Sequence, residues 1–369
     1  MELSIHELFK ITVDRDASDL HLTTHVPPKI RVNGRLISLD YPELNASDTK
    51  ALIYSILTDK QKKMFEEKFE LDFSFGIKEM GRFRANIFMQ KGAVAGAFRR
   101  FLPQMWSFAQ LGLPPRISQL CYLPRGLVLV TGPTGCGKST SLACMIEHIN
   151  AERDVHIVTI EDPIEYFFTP RKALVNQREL FQDTLSYNNA LRSVLREDPD
   201  VVFVGEMRDL ETVEATLRVA ETGHLTLSTL HTNSAAETIT RIIDIFPPQY
   251  QTQARVILSM TLEAVLTQAL LPRADGKGRV LALEILLPNV AIRNLIRENK
   301  LHQIYSAMQL GQEKFGMQTF NQSLADLYFR NLITLETAMG VTSFPEELTD
   351  IIQRRQALPH VQGRHGVRR

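Results

Sequence analysis

Gly132-Pro133-Thr134-Gly135-Cys136-Gly137-Lys138-Ser139 decides how this chain is read. The stretch satisfies G-x-x-x-x-G-K-S/T, follows the apolar run Leu127 to Val130, and precedes a segment with Leu142, Met145 and Ile146 at helical spacing. Buried strand, glycine-rich turn and helix, in that order, are what phosphate binding requires. The glycines let successive backbone N–H groups converge on a phosphate, and the helix start adds the positive end of its dipole. Lys138 is placed to bridge phosphate oxygens and the Ser139 hydroxyl to hold Mg²⁺, with Thr140 closing the cradle. A glycine-rich turn matching by accident is the bland alternative, and the strand and helix on either side argue against it. Cys136 has two readings. A thiol near a helix N-terminus can have a lowered pKa and act as a redox switch, or a small residue simply fills the loop.

Downstream, the apolar runs Leu127 to Val130, Ile157 to Ile160, Val201 to Val204 and Leu225 to Leu230 alternate with helical segments. This predicts a parallel sheet covered on both faces. Between the last two runs, Leu210, Val213 and Leu217 share a helix face, with Asp209 as N-cap and Gly223 as the stop. Glu161-Asp162 and Glu206 end two of the runs, at the sheet edge where ligands bind. Hydrolysis of a bound triphosphate needs one carboxylate to polarise the attacking water and another to orient Mg²⁺. Glu161 is assigned the first role; Glu206, with Ser139, is assigned the metal. An acid ending a strand is more often a solvated cap, and it is the cradle on the neighbouring strand that favours catalysis. His224 and His231 flank the last run, seven residues apart, which puts them on opposite faces of a regular strand and argues against a shared metal site. A histidine there can sense the terminal phosphate or be a satisfied structural group.

Upstream lies a different texture. Ser4 and Glu7 predict a capping box, with Ile5, Leu8 and Phe9 on one face of a short helix. Leu20 to Thr23, Lys29 to Val32, Leu71 to Phe75 and Arg82 to Met89 read as strands, with Asn33-Gly34 as a hairpin turn and Ser47 to Phe69 at helical spacing. Residues 1–100 are thus expected to form a small α+β domain. Residues 101–120, with Pro103, Pro114 and Pro115, are expected to be an irregular linker. Residues 121–358 form the nucleotide-binding domain, predicted helical from Pro248 through Leu271, strand-like over Val280 to Leu287, and helical again to about Asn331. Residues 359–369, rich in arginine, glycine and histidine, are expected to be a disordered tail.

Composition narrows the function. Of the 369 residues, 42 are Lys or Arg and 42 Asp or Glu, so there is no global positive field for nucleic acid or anionic lipid. Hydrophobic residues at 44% suit a chain with a full core. Cys121, Cys136 and Cys144 form neither a disulfide framework nor a zinc pattern, which fits a reducing cytoplasm. The start lacks a basic leader with an apolar run, and no stretch approaches the apolar length of a membrane span. The expectation is a cytoplasmic protein.

Four blocks taken together are more specific. Gly132 to Thr140, Thr159-Ile-Glu-Asp-Pro-Ile-Glu165, Gly205-Glu-Met-Arg-Asp209, and Gly223-His224 running to Thr229-Leu-His-Thr232 resemble the Walker A, Asp-box, Walker B and His-box motifs of the type II/type IV secretion ATPases. The resemblance spans nearly the whole chain. Ala291-Ile-Arg-Asn-Leu-Ile-Arg-Glu298 resembles the C-terminal signature of the pilus-retraction branch, with support from Ser18-Asp19-Leu20-His21-Leu22 and Gly81-Arg82-Phe83-Arg84. Extension and secretion members typically carry a further N-terminal domain and a four-cysteine zinc module; no CxxC occurs here.

The resemblance implies a PAS-like α+β N-terminal domain, then a RecA-like P-loop domain with a helical C-terminal part. It implies ATP and Mg²⁺ as ligands and a homo-hexamer. Implied partners are a pilus platform protein of the inner membrane and a paralogous retraction ATPase; the implied location is peripheral, at the pilus base. His224 and His231 would then face nucleotide, His231 with a catalytic role. In such rings, arginines of the small domain complete the phosphate site. Arg82, Arg84 and Arg99 are candidates here, with surface arginines paired to local acids as the alternative. The Ala291 to Glu298 helix is either an output surface or an ordinary amphipathic core helix. The alternatives in function are an accessory retraction ATPase, an extension or secretion ATPase, a RecA-like nucleic-acid motor and a nucleotide-binding scaffold.

Overall fold

The computed structural model describes residues 3–32, 34–101 and 105–357. Asn33 of the expected turn, Pro103 of the expected linker and the tail 359–369 lie outside them. Contacts divide the chain into two units, Met1–Gln104 with Pro163–Phe167, and Met105–Asp162 with Phe168–Arg369.

The first unit is an antiparallel sheet with helices. In chain order it contains α1 (Ile5–Asp14), β1 (Asp19–Leu22), β2 (Lys29–Val32), β3 (Arg35–Ser38), α2 (Ala46–Tyr54), α3 (Asp59–Lys68), β4 (Glu70–Ile77), β5 (Gly81–Gln90) and β6 (Ala93–Phe101). The six strands run in the order β3-β2-β1-β6-β5-β4. Phe9 of α1 packs its ring 4.6 Å from Phe83 and 5.3 Å from Phe98, which fixes the helix on the sheet.

Three expectations change in this unit. Ser4 caps α1 by accepting from His6 N at 3.3 Å, but Glu7 does not close a capping box; it accepts from the Tyr41 hydroxyl at 3.1 Å. The helical stretch from Ser47 to Phe69 divides in two, because Thr58 and Gln61 form a capping box that starts α3. The central strand β6 has no strand signal in the sequence: Ala93-Val-Ala-Gly-Ala lacks the bulky β-branched alternation that marks a strand.

The second unit opens with α4 (Phe108–Leu111), α5 (Arg116–Leu120), β7 (Gly126–Thr131), α6 (Lys138–Glu152), β8 (His156–Glu161), β9 (Leu174–Glu179), α7 (Tyr187–Val194), β10 (Val201–Val204), α8 (Leu210–Glu221) and β11 (Leu225–Leu230). It continues with α9 (Ala235–Asp244), α10 (Pro248–Thr261), β12 (Leu262–Pro272), β13 (Arg279–Leu286), α11 (Val290–Arg297), α12 (Ile304–Leu310), α13 (Gln312–Phe315), α14 (Phe320–Phe329), α15 (Leu335–Val341) and α16 (Pro345–Ala357). The seven strands run β13-β12-β7-β11-β10-β8-β9. All neighbouring pairs are parallel except β12 with β13. This is the RecA-like P-loop arrangement with a helical C-terminal part.

The sheet is apolar on both faces. Leu127 and Leu129 of β7 pack with Leu217, Ile239, Leu258 and Ile292 from the covering helices. Val158, Ile160 and Val204 meet Leu191 and Val194 of α7. Each such fully buried side chain stabilises the fold by about 1.5–3 kcal/mol, so the strands that carry the cradle are held rigidly.

The proline-rich connector is not irregular throughout. Ser107 and Gln110 form a capping box for α4, and α5 begins directly after Pro114-Pro115, where a missing N–H costs nothing. The expected helix from Pro248 to Leu271 ends at Thr261, and the rest is β12. A strand buried on both faces reads as a continuous apolar run, which periodicity cannot separate from a buried helix. Helix also continues past Asn331, through α15 and α16.

Candidate functional site

Gly132 to Gly137 forms the turn between β7 and α6, with Lys138 and Ser139 opening the helix, at the carboxyl edge of the parallel strands. Backbone shape depends on its glycines. Gly132 has φ +135°, and a Cβ there would lie 2.3 Å from the Gln268 carbonyl oxygen and 2.7 Å from the Cys136 sulfur. Gly137, at φ +90°, is the N-cap of α6. Gly135, at φ +79°, has open space where its Cβ would be. The loop is therefore closed behind and open in front, as a phosphate cradle must be. Lys138 is buried; its Nζ donates to Gly132 O at 2.8 Å and Pro133 O at 3.2 Å.

Lys138 also meets His231, Nζ to Nδ1 at 3.3 Å. The other ring nitrogen of His231, Nε2, lies 3.2 Å from Glu206 Oε1, and Glu206 Oε2 accepts from Arg208 Nε at 2.7 Å. An ammonium on Nδ1 and a carboxylate on Nε2 together select the neutral Nε2–H tautomer. The result is one polar chain, Lys138–His231–Glu206–Arg208, across the ends of β7, β11 and β10. The bond to Glu206 raises the pKa of Arg208 above its ordinary value.

Glu161 sits differently. It ends β8 and is 6% exposed, accepting from Thr159 Oγ1 at 2.6 Å and Gln177 Nε2 at 3.3 Å. The expectation that its strand neighbours the cradle strand is corrected: β11 and β10 lie between β7 and β8. At about 4.8 Å per strand, that separates them by roughly 14 Å. Chain order does not encode spatial order in a doubly wound sheet. Gly205, after β10, leaves room for Tyr187; a Cβ there would lie 3.0 Å from the tyrosine hydroxyl, whose pKa is raised chiefly by burial.

His224 is not brought to the cradle. It precedes β11, while the cradle follows β7, and these strands are parallel; His224 O in fact accepts from Gly126 N at the start of β7. Its Nδ1 meets Val219 O at 3.0 Å and Thr222 Oγ1 at 3.2 Å, so it closes the end of α8. Cys136 is 4% exposed and burial raises its pKa despite Lys138 nearby. The thiol fills the loop, and the redox reading is dropped.

In the first unit, the arginine candidates have local partners. Arg84 Nε donates to Asp72 at 3.1 Å and Arg99 Nε to Asp19 at 3.0 Å. Arg82 bonds the Ser74 hydroxyl and lies 4.6 Å from the ring centre of Phe167. Burial works to raise the pKa of Asp19, but Ser18 and Arg99 outweigh it and hold the carboxyl below its ordinary value.

Asp209 caps α8 as expected, accepting from Thr212 N at 2.8 Å. The partners that sequence reasoning missed are Thr159 and Gln177 on Glu161, Arg208 on Glu206, and Tyr187. Arg208 lay in plain view inside Gly205-Glu-Met-Arg-Asp209; Gln177 and Tyr187 come from a strand and a helix with no motif of their own. Among the described residues, no helix is long and apolar enough to cross a membrane.

The chain matches the family described as Type II/IV secretion system protein over residues 1–277. It is similar to the type IV pilus retraction ATPase PilT of Pseudomonas aeruginosa, at 47% identity over 344 residues, covering 93% of this chain and 99% of that protein. A twitching motility protein of Neisseria gonorrhoeae is 49% identical over 311 residues, covering 84% of this chain and 83% of its own. Among solved structures, the pilus retraction motor PilT with bound ADP superposes with a TM-score of 0.89 at 53% identity, covering 95% of this chain and 100% of that one.

Proposed function

This chain belongs to the type II/IV secretion system protein family, and we infer that within it the chain is an ATP-hydrolysing motor that powers retraction of a type IV pilus and so twitching motility. One observation carries this reading: the likeness runs the full length of a retraction motor that binds ADP, rather than stopping at the P-loop.

The residues support specific tasks. Gly132 to Thr140 would wrap the phosphates. Lys138 would leave the carbonyls of Gly132 and Pro133 for phosphate oxygens, a stronger charge-assisted partner. Mg²⁺ neutralises charge on the phosphates when bound, and Ser139 and Glu206 are the groups that would hold it, with water and phosphate completing the shell. His231 stands between lysine and Glu206, where it can register a terminal phosphate. Glu161 would orient and polarise the attacking water, with Thr159 and Gln177 fixing its carboxylate.

The working assembly in this reading is a homo-hexamer in the cytoplasm, bound peripherally at the pilus base to a platform protein of the inner membrane, with a paralogous retraction ATPase as a further partner. Arg82, Arg84 and Arg99 would exchange their local partners for the phosphates of a neighbouring subunit. Balanced charge argues against nucleic acid as the track. The test is Mg-ATP turnover against protein concentration, with mass measured alongside, for wild type and Arg82→Ala. Turnover that rises with ring assembly and falls in the variant supports shared sites. Monomeric turnover indifferent to the substitution would contradict them.

A further inference from the structure

A row of paired residues leads away from the cradle. Thr131, the last residue before Gly132, pairs with Thr267 of β12, and Thr267 pairs with Glu284 of β13. Cross-strand partners share a face, and the two threonine hydroxyls are 2.9 Å apart. Glu284 therefore ends a row that begins at the phosphate loop. It is 2% exposed, and no cation among the described residues contributes to its environment. A carboxyl buried without a cation is costly, and burial pushes this one up to about 7.

What Glu284 receives is backbone. Ala235 N–H donates to Oε1 at 2.6 Å, and Phe320 N–H donates as well. Ala235 is the first residue of α9 and Phe320 the first of α14. One carboxyl thus takes the leading N–H of two helices, groups that have no partner inside their own helix.

The two helices lead to different places. α9 begins four residues after His231, and the intervening turn is tied to it by Thr232 Oγ1 to Thr238 Oγ1 at 2.7 Å and Asn233 N to Glu237 at 2.8 Å. The two residues that follow His231 are therefore tied to the first turns of α9. α14 heads the C-terminal helices and packs with α15 and α16. Between the cradle side and these helices the packing is not solid. A cavity of about 510 Å³ is lined by Pro133, Asn233, Phe320 and Phe344, with Glu284 in its wall.

We propose that Glu284 is a positioning residue that couples the histidine beside the cradle lysine to the C-terminal helices, passing a shift of His231 on phosphate binding to α14. The proposal rests on reading the cradle as an ATP site, and its test separates the two. Full-length wild type, Glu284→Gln and Glu284→Ala are compared for ADP affinity, Mg-ATP turnover and hydrogen exchange of the residue 320–329 amides with and without ADP. In wild type, ADP should change that exchange about fivefold, the lower end of allosteric coupling.

Glu284→Gln keeps one acceptor oxygen and the volume of the side chain. It should bind ADP as wild type does, while the α14 response falls below about twofold and turnover drops about fivefold. Glu284→Ala should lose the response entirely. An α14 response in the glutamine variant equal to wild type would overturn the coupling, as would no response in wild type. ADP affinity and melting temperature falling together with the response would show that Glu284 only holds the fold. Failure of wild type to bind ADP at all would overturn the ATP-site reading itself, and the proposal with it.

Discussion

His231 and His224 stand at the two ends of one strand, β11, yet the structure gives them unlike surroundings. At the carboxyl end, His231 lies between the cradle lysine and Glu206. At the amino end, His224 ties the last turn of α8 to the strand through backbone and threonine oxygens. The residue type is the same; strand polarity makes the difference. In a parallel sheet only one edge gathers the loops that end strands and start helices, and there helix N-termini and strand-end carboxylates converge.

That contrast can be broken by substitution. His231→Ala should lower Mg-ATP turnover by about 10- to 100-fold, the range for losing a hydrogen bond to charged groups, with ADP affinity little changed; stopped-flow and equilibrium titration read the two separately. Turnover kept within twofold would place phosphate sensing elsewhere. A smaller effect should come from pH at Glu284, on β13, three strands from β11 in the sheet. Its folded pKa is raised, so neutral Glu284 favours the fold below the unfolded value of 4.5, and that contribution is lost as pH rises through about 7. Tyr305 of α12 faces it, with Glu347 of α16 behind the tyrosine hydroxyl. Between pH 5 and pH 7.5, the melting temperature of wild type relative to Glu284→Gln should fall by at least about 3 °C; parallel curves would contradict this. His224→Ala should do least. It should cost about 1 kcal/mol of stability in a denaturant titration and leave turnover within about twofold, since only a helix end is loosened.

Much of this was open to sequence reading, for identifiable reasons. The cradle is legible because its glycines and Lys138 sit at fixed spacing between a strand and a helix, and Glu161, Glu206 and His231 are candidates in the sequence because each ends or follows a strand. What hides is whatever depends on spatial order. Nothing in the chain says that β11 and β10 separate β8 from β7, or that the apolar run after Thr261 leaves the helix for the middle of a sheet. Glu284 lies within Leu281-Ala-Leu-Glu-Ile-Leu-Leu287, a run without a motif. A lone acid within a buried strand was the available signal, and its partners are backbone groups far away in sequence.

In the proposed reading, the carboxyl edge of this sheet binds a nucleotide with one set of groups and hydrolyses it with another. Turnover of Glu161→Gln beside its ADP affinity tests this most directly. Turnover should fall by roughly 10²- to 10⁴-fold, with affinity as in wild type, for a carboxylate about three strands from the cradle that acts on water. Turnover equal to wild type, or affinity lost in step with turnover, would contradict it.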